Sequence, residues 1–150
     1  MIVDRTLQDV ENAKIIRERL GKGEEITSGD VLTLERGTLT INTLNRIERK
    51  QLELSQLLNA EGYYNVLVQT KTWTYTDYFS LSDFHRIINN LNILRENYYT
   101  YSNTPKTPLP IYHFENINDI EKILVDIEAI LDDMRPRYRR CGTFNCGEVI

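Results

Sequence analysis

The chain has 150 residues and a mass of 17.6 kDa, the size of one domain that buries roughly two-thirds of its unfolded surface. Its 41% hydrophobic and 27% charged content is that of a soluble globular protein, and no apolar run approaches the roughly 20 residues a membrane span needs. A net charge of -4 and a pI near 5.3 supply no general attraction for phosphate, so neither nucleic acid nor a membrane is an expected partner.

The opening MIVDRTLQDVENAK carries Asp4 and no apolar stretch followed by small residues, so it does not read as a secretory signal. Synthesis and folding in a cytoplasm are expected. A first helix is predicted from Thr6 to Leu20, with Thr6 as N-cap, Asp9 at the third helical position, and Leu7, Val10, Ala13 and Leu20 as its apolar side. Gly21 and Gly23 end it in a GKG turn. That turn follows a helix and lacks the G-x-x-x-x-G-K-[ST] pattern, which excludes a phosphate loop. A short helix from Ser28 to Arg36, with a weak apolar side of Val31, Leu32 and Leu34, breaks at Gly37 and completes a loosely packed N-terminal arm.

The main helix of the first half carries Ile41, Leu44, Ile47, Leu54, Leu57 and Leu58 in register, interrupted by Gln51 and stopped at Gly62. At roughly 20 residues it is about 30 Å long. From Tyr63 to Tyr75 the period changes to two: Val66, Val68, Thr70, Thr72 and Thr74 alternate with Leu67, Gln69, Lys71, Trp73 and Tyr75. This predicts one β element over about 63–76, a strand or a hairpin. A strand needs a partner for its amides, and the candidates are the run itself, GTLTI near Thr38, the tail TFNCGEVI, or another chain.

The next helix starts with a full signature, in which Ser80 caps, Asp83 closes the box and Phe79 staples onto Phe84. Phe84, Ile87, Ile88, Leu91, Leu94 and Tyr98 form its core stripe. Pro105, Pro108 and Pro110 make the following segment a semi-rigid strap. In the last helix, from Asn116, the stripe is Ile117, Ile120, Leu124, Ile127, Leu131 and Met134. Asp126, Glu128, Asp132 and Asp133 read as its solvated face, and Pro136 as its end. The expected fold is mainly α: an antiparallel helical bundle of three long helices, a smaller N-terminal helical arm and one short β element. Residues 1–136 form one helical domain, with the arm over 1–36 and the bundle over 37–136, followed by a basic, cysteine-bearing tail over 137–150.

Catalytic patterns are missing from this sequence. His85 and His113 are the two histidines, and neither lies in H-E-x-x-H, C-x-x-C-H or a nucleophile elbow. His85 reads as a boundary residue of the bundle. Cys141 and Cys146, in CGTFNCG, supply half of the four ligands structural zinc requires, so no metal and no cofactor are expected. The pair either closes a disulfide across a small turn or stays reduced in a cytoplasm. Arg135, Arg137, Arg139 and Arg140 either meet a phosphate or acidic neighbour or follow the macrodipole at a helix C-terminus. Aromatic residues gather at element ends, where they close the bundle or anchor a partner. The interface candidates are Val66, Val68, Trp73, Tyr75, Tyr99, Tyr101, Arg137, Arg139 and Arg140; none is catalytic.

The segments DRTLQDV, GTLTINTLNRIE, TKTWTYTDYFSLSDFHRIINNLNILR and NINDIEKILVDIEAIL together resemble a helical module of structural proteins in tailed bacteriophages and prophages of low-GC Gram-positive bacteria. The resemblance spans nearly the whole chain and carries no catalytic residue. It implies a tail, baseplate or fibre-attachment subunit that docks onto other phage structural proteins and forms homo-oligomers in the virion. Alternatives are a capsid-associated decoration protein and a phage-encoded protein that binds a host protein. An enzyme acting on cell-wall glycan would need a facing carboxylate pair, which no spacing here singles out.

Overall fold

The computed structural model of the chain describes residues 1–63, 66–109 and 113–141, with side chains as far as Met134. The described residues form five helices: α1 (Leu7–Gly21), α2 (Ser28–Gly37), α3 (Ile41–Ala60), α4 (Leu81–Asn97) and α5 (Phe114–Cys141). Among the described residues there is no strand.

Local chemistry starts these helices. Thr6, Thr27 and Ser80 each accept the amide of an aspartate three residues on, and that aspartate takes the cap residue's own amide in return. Thr40 caps α3 through the amide of Thr43. After α1 and α3 the chain turns away at Gly23 and Gly62, whose φ of 79° and 97° suit glycine.

α1 and α2 form an antiparallel hairpin clasped by Arg19–Asp30 at 3.1 Å and Arg36–Asp9 at 3.2 Å. The two helices meet at Gly37, where a Cβ would fall 2.1 Å from the carbonyl oxygen of Asp9. Ala13 and Ile16 are the buried residues of α1, whereas Leu7 and Leu20, expected on its apolar side, are exposed. The helix turns that side toward α2, which is too short to cover the whole expected stripe. α2 itself fully buries nothing. The arm is held to the rest by its first residues: Glu121, completely buried on α5, accepts the amide of Ile2 at 2.8 Å and pairs with Arg5 at 2.7 Å and Arg46 at 2.8 Å.

The core is built by α3, α4 and α5, with Leu44, Ile47, Leu54 and Leu58 facing Phe84, Ile87, Leu91 and Leu94, and Ile117, Ile120, Leu124, Ile127 and Leu131 closing the third side. Ile123 joins them. At about 25 cal/mol per Å² of apolar surface, each fully buried Leu or Ile contributes roughly 1.5–3 kcal/mol.

The bundle is not antiparallel. Glu48 pairs with Arg86 and Gln51 with Asn90, and Arg46 pairs with Glu121 and Lys50 with Glu128, so positions advance together along each pair of helices. α3, α4 and α5 run parallel. The reason lies in the connections, which are not tight turns but extended segments that carry the chain back. Residues 66–73 lie against α3 in reverse, Val66 at Asn59 and Trp73 at Asn45. Seven extended steps cover about 23 Å and fourteen helical steps about 21 Å, so the return length matches. The proline segment repeats the device beside α5, with Thr104 bonded to Asp126 and the Leu109 carbonyl to Asn116.

Two further expectations are corrected at α5. Asp126 is buried, not solvated, because Thr104 donates to one carboxylate oxygen at 2.7 Å and Lys122 pairs with the other. The helix continues through Pro136 to Cys141, since a proline removes one amide without ending every neighbouring bond.

Candidate docking surface

The expected β element is an extended strap whose amides are served by side chains instead of a second strand. The amide group of Asn45 accepts the N–H of Trp73 at 2.7 Å and donates to its carbonyl at 3.0 Å. Asn59 does the same for Val66, at 3.1 and 2.8 Å, and Asn90 for Gln69, at 3.0 and 2.7 Å. A carboxamide offers one donor and one acceptor in a plane, as a peptide group does, so each imitates a neighbouring strand. Glu48 takes the amide of Lys71 at 2.6 Å, and Ser55 adds a bond to the Val66 carbonyl. Gln51, which interrupts the apolar stripe of α3, is fully buried and orients Asn90 through its carboxamide oxygen while donating to the Ile87 carbonyl.

This pairing decides the fate of the interface candidates. Val66 and Trp73 are buried in the core of the chain, with the indole N–H of Trp73 donating to Glu48 at 2.7 Å, and Val68 packs partly against the same core. Val66 and Trp73 therefore present no free face and Val68 only part of one, although Val66 and Trp73 lie on opposite phases of the alternation, so strict period two does not hold along the strap. Tyr75, Tyr99 and Tyr101 are exposed. The side chains of Arg137, Arg139 and Arg140 and the Cys141–Cys146 pairing lie outside the described residues, as does the tail TFNCGEVI. His85 is exposed on α4.

The strap ends in a rigid turn. Asp77 accepts the Thr74 amide at 2.7 Å and its hydroxyl at 2.8 Å, and pairs with Lys71 at 2.7 Å. The Lys71 ammonium in turn lies 4.3 Å from the Trp73 ring centroid, a cation–π contact. Hydrogen bonding by Lys71, then by Thr74, holds the Asp77 carboxyl down to about 2. Beyond the turn, Phe79 sits between Trp73 and Phe84, with centroids 5.6 and 5.8 Å away. Hydrogen bonding by Ser80 brings the Asp83 carboxyl down to about 2 as well, although partial burial opposes it.

Between these fixed points the chain displays three large apolar side chains, Tyr75 at 93% exposure, Tyr78 at 92% and Leu81 at 63%. Tyr78 belongs to the aromatic residues read from the sequence as closing the bundle or anchoring a partner, but neither it nor Leu81 was among the interface candidates. The T-x-x-D spacing of Thr74 and Asp77 was the available signal, since it marks a side-chain-locked turn. Tyr99 and Tyr101 are exposed just beyond the C-terminal end of α4, and Leu109 is exposed separately at the other end of the proline strap. No set of three or more His, Cys, Asp or Glu among the described residues is placed to hold a metal ion, and no described helix is long and apolar enough to cross a membrane.

Comparison with protein families, with curated proteins and with solved structures finds no match to this chain.

Proposed function

We propose that the chain is a structural docking subunit of a phage virion, a tail, baseplate or fibre-attachment component that works by protein–protein contact and performs no catalysis. The observation carrying this reading is the locked turn 74–77, which presents Tyr75 and Tyr78 almost wholly to solvent on a backbone fixed by Asp77. Tyrosines on a rigid support offer large amphipathic contact area at low cost in conformational entropy, which favours interface anchors. The polar residues of α3 and α4 add to the case, because Asn45, Glu48, Asn59 and Asn90 are committed to holding the strap.

The partner on this reading is another phage structural protein, met in the host cytoplasm before assembly, and copies of the chain form an oligomer in the particle. Mass spectrometry of particles purified after phage induction in the source strain tests it, with host cytoplasm as control. Stoichiometric presence in particles is expected, and a Tyr75→Ser/Tyr78→Ser variant is expected to fold but to be lost from them. Absence of the unaltered chain from particles, despite strong expression, would overturn the reading.

A further inference from the structure

A cleft of about 300 Å³ lies where the arm meets the bundle, between α1, the α2–α3 link and the start of α5. Leu7, Val10, Leu39, Phe114 and Ile117 supply its apolar lining. Every ionisable residue lining it is basic: Arg5, Lys14, Arg36 and His113. Most of that charge is answered from outside the cleft, Arg5 by Glu121 and Arg36 by Asp9 and Asp4, while Nδ1 of His113 lies 3.3 Å from Glu115. Two donors are not answered. Lys14 makes no ion pair among the described residues, and Nη2 of Arg5 is buried with no hydrogen-bond partner among them.

We infer that this cleft binds a compact apolar carboxylate, its hydrocarbon against Leu39, Phe114 and Ile117 and its charge beside Lys14. An apolar wall with a few placed polar groups is the usual form of a small-molecule site, and the unpaired Lys14 in a lining that holds no acid favours a negative head. Such a ligand touches α1, the α2–α3 link and the start of α5 together, so it adds to the hold that Glu121 gives the arm on the bundle. This inference is independent of the virion reading, which rests on the opposite features of the chain.

Octanoate is the probe, titrated into the isotope-labelled full chain and followed by amide NMR. Saturable shifts are expected at Leu39, Phe114 and Ile117, with octanol, which lacks the charge, binding more weakly. Lys14→Glu, at an exposed position, should keep the parent melting temperature and weaken octanoate by about fivefold, as reversal of one solvent-exposed charge does. The inference is overturned by an absence of saturable shifts, by shifts confined to the Tyr75–Leu81 surface, by equal binding of octanol, or by unaltered affinity in Lys14→Glu.

Discussion

The carboxamide of Asn45 makes two hydrogen bonds to the main chain of Trp73, 28 residues further on, one to its N–H and one to its carbonyl. That single pairing holds the end of a strap and places the indole beside Glu48. With Asn59 and Asn90 it forms a ladder in which helix side chains stand in for a strand.

Asn90 is the most buried rung, and its loss leaves both polar groups of Gln69 and the Gln51 oxygen unserved. Asn90→Ala should lower stability by about 1–3 kcal/mol, the cost of leaving the buried Gln51 oxygen unsatisfied, since the exposed Gln69 main chain can turn to water. Denaturant unfolding reads the loss, and hydrogen exchange should show the Gln69 amide newly unprotected. A change below 0.5 kcal/mol would mean that the ladder is decorative.

Glu121 joins the arm to the bundle from a fully buried position. Removing one member of a buried ionic cluster strands the others, so Glu121→Ala should cost about 3–5 kcal/mol. Limited proteolysis should then cut within residues 1–40 before the bundle. Cleavage order unchanged from the parent would contradict this anchor.

Gly37 allows α1 and α2 to touch, and a methyl group there would collide with backbone at Asp9 and with the Ala13 methyl. Backbone cannot step aside as a flexible side chain can. Gly37→Ala should open the arm hairpin at a cost of about 1–3 kcal/mol while α3, α4 and α5 keep their hydrogen-exchange protection. Loss of protection throughout the bundle would instead show that the arm and core fold as one cooperative unit.

Asp77 and Asp83 have carboxyl groups held from the ordinary 3.8 down to about 2, the first by Lys71 and Thr74, the second by Ser80 and Arg86. A lowered folded-state value stabilises the ionised fold, so the contribution is complete above about pH 4 and disappears as pH falls through 2. Carboxyl NMR titration should place both midpoints near 2. In Asp83→Asn the acid-induced loosening of the α4 N-terminus should vanish between pH 4 and pH 2, whereas the Asp77 turn should still respond. Midpoints near 3.8 would remove both locks.

Much of the helical content was legible in the chain because its signals are local. The boxes Thr6–Asp9 and Ser80–Asp83, the Phe79–Phe84 staple and the stripes of α3, α4 and α5 each lie within a few residues, so helix starts and buried faces follow from spacing. The Thr27–Asp30 box at α2 carried the same signal. Alternation over Val66–Tyr75 likewise marked an extended segment.

What that segment pairs with was not local. Period-two alternation marks an extended backbone but names neither its partner nor the side chains that turn inward, and here the partner is a row of polar residues on α3 and α4 while Val66 and Trp73, on opposite phases, are both buried. The same row made Gln51 look like an interruption, although burial against Asn90 and Ile87 makes it part of the ladder.

By itself the sequence determined that the chain is helical, where most helices begin, and which apolar faces of α3, α4 and α5 are hidden, but not those of α1 and α2. The tertiary structure alone decided that α3, α4 and α5 run parallel, that Trp73 and Asp126 lie inside, and that Tyr78 and Leu81 lie outside. The physical reason is range. Capping and periodicity act over three or four residues, whereas helix direction depends on bonds such as Asn45–Trp73 and Glu121–Arg5, whose partners meet only when the chain has closed on itself.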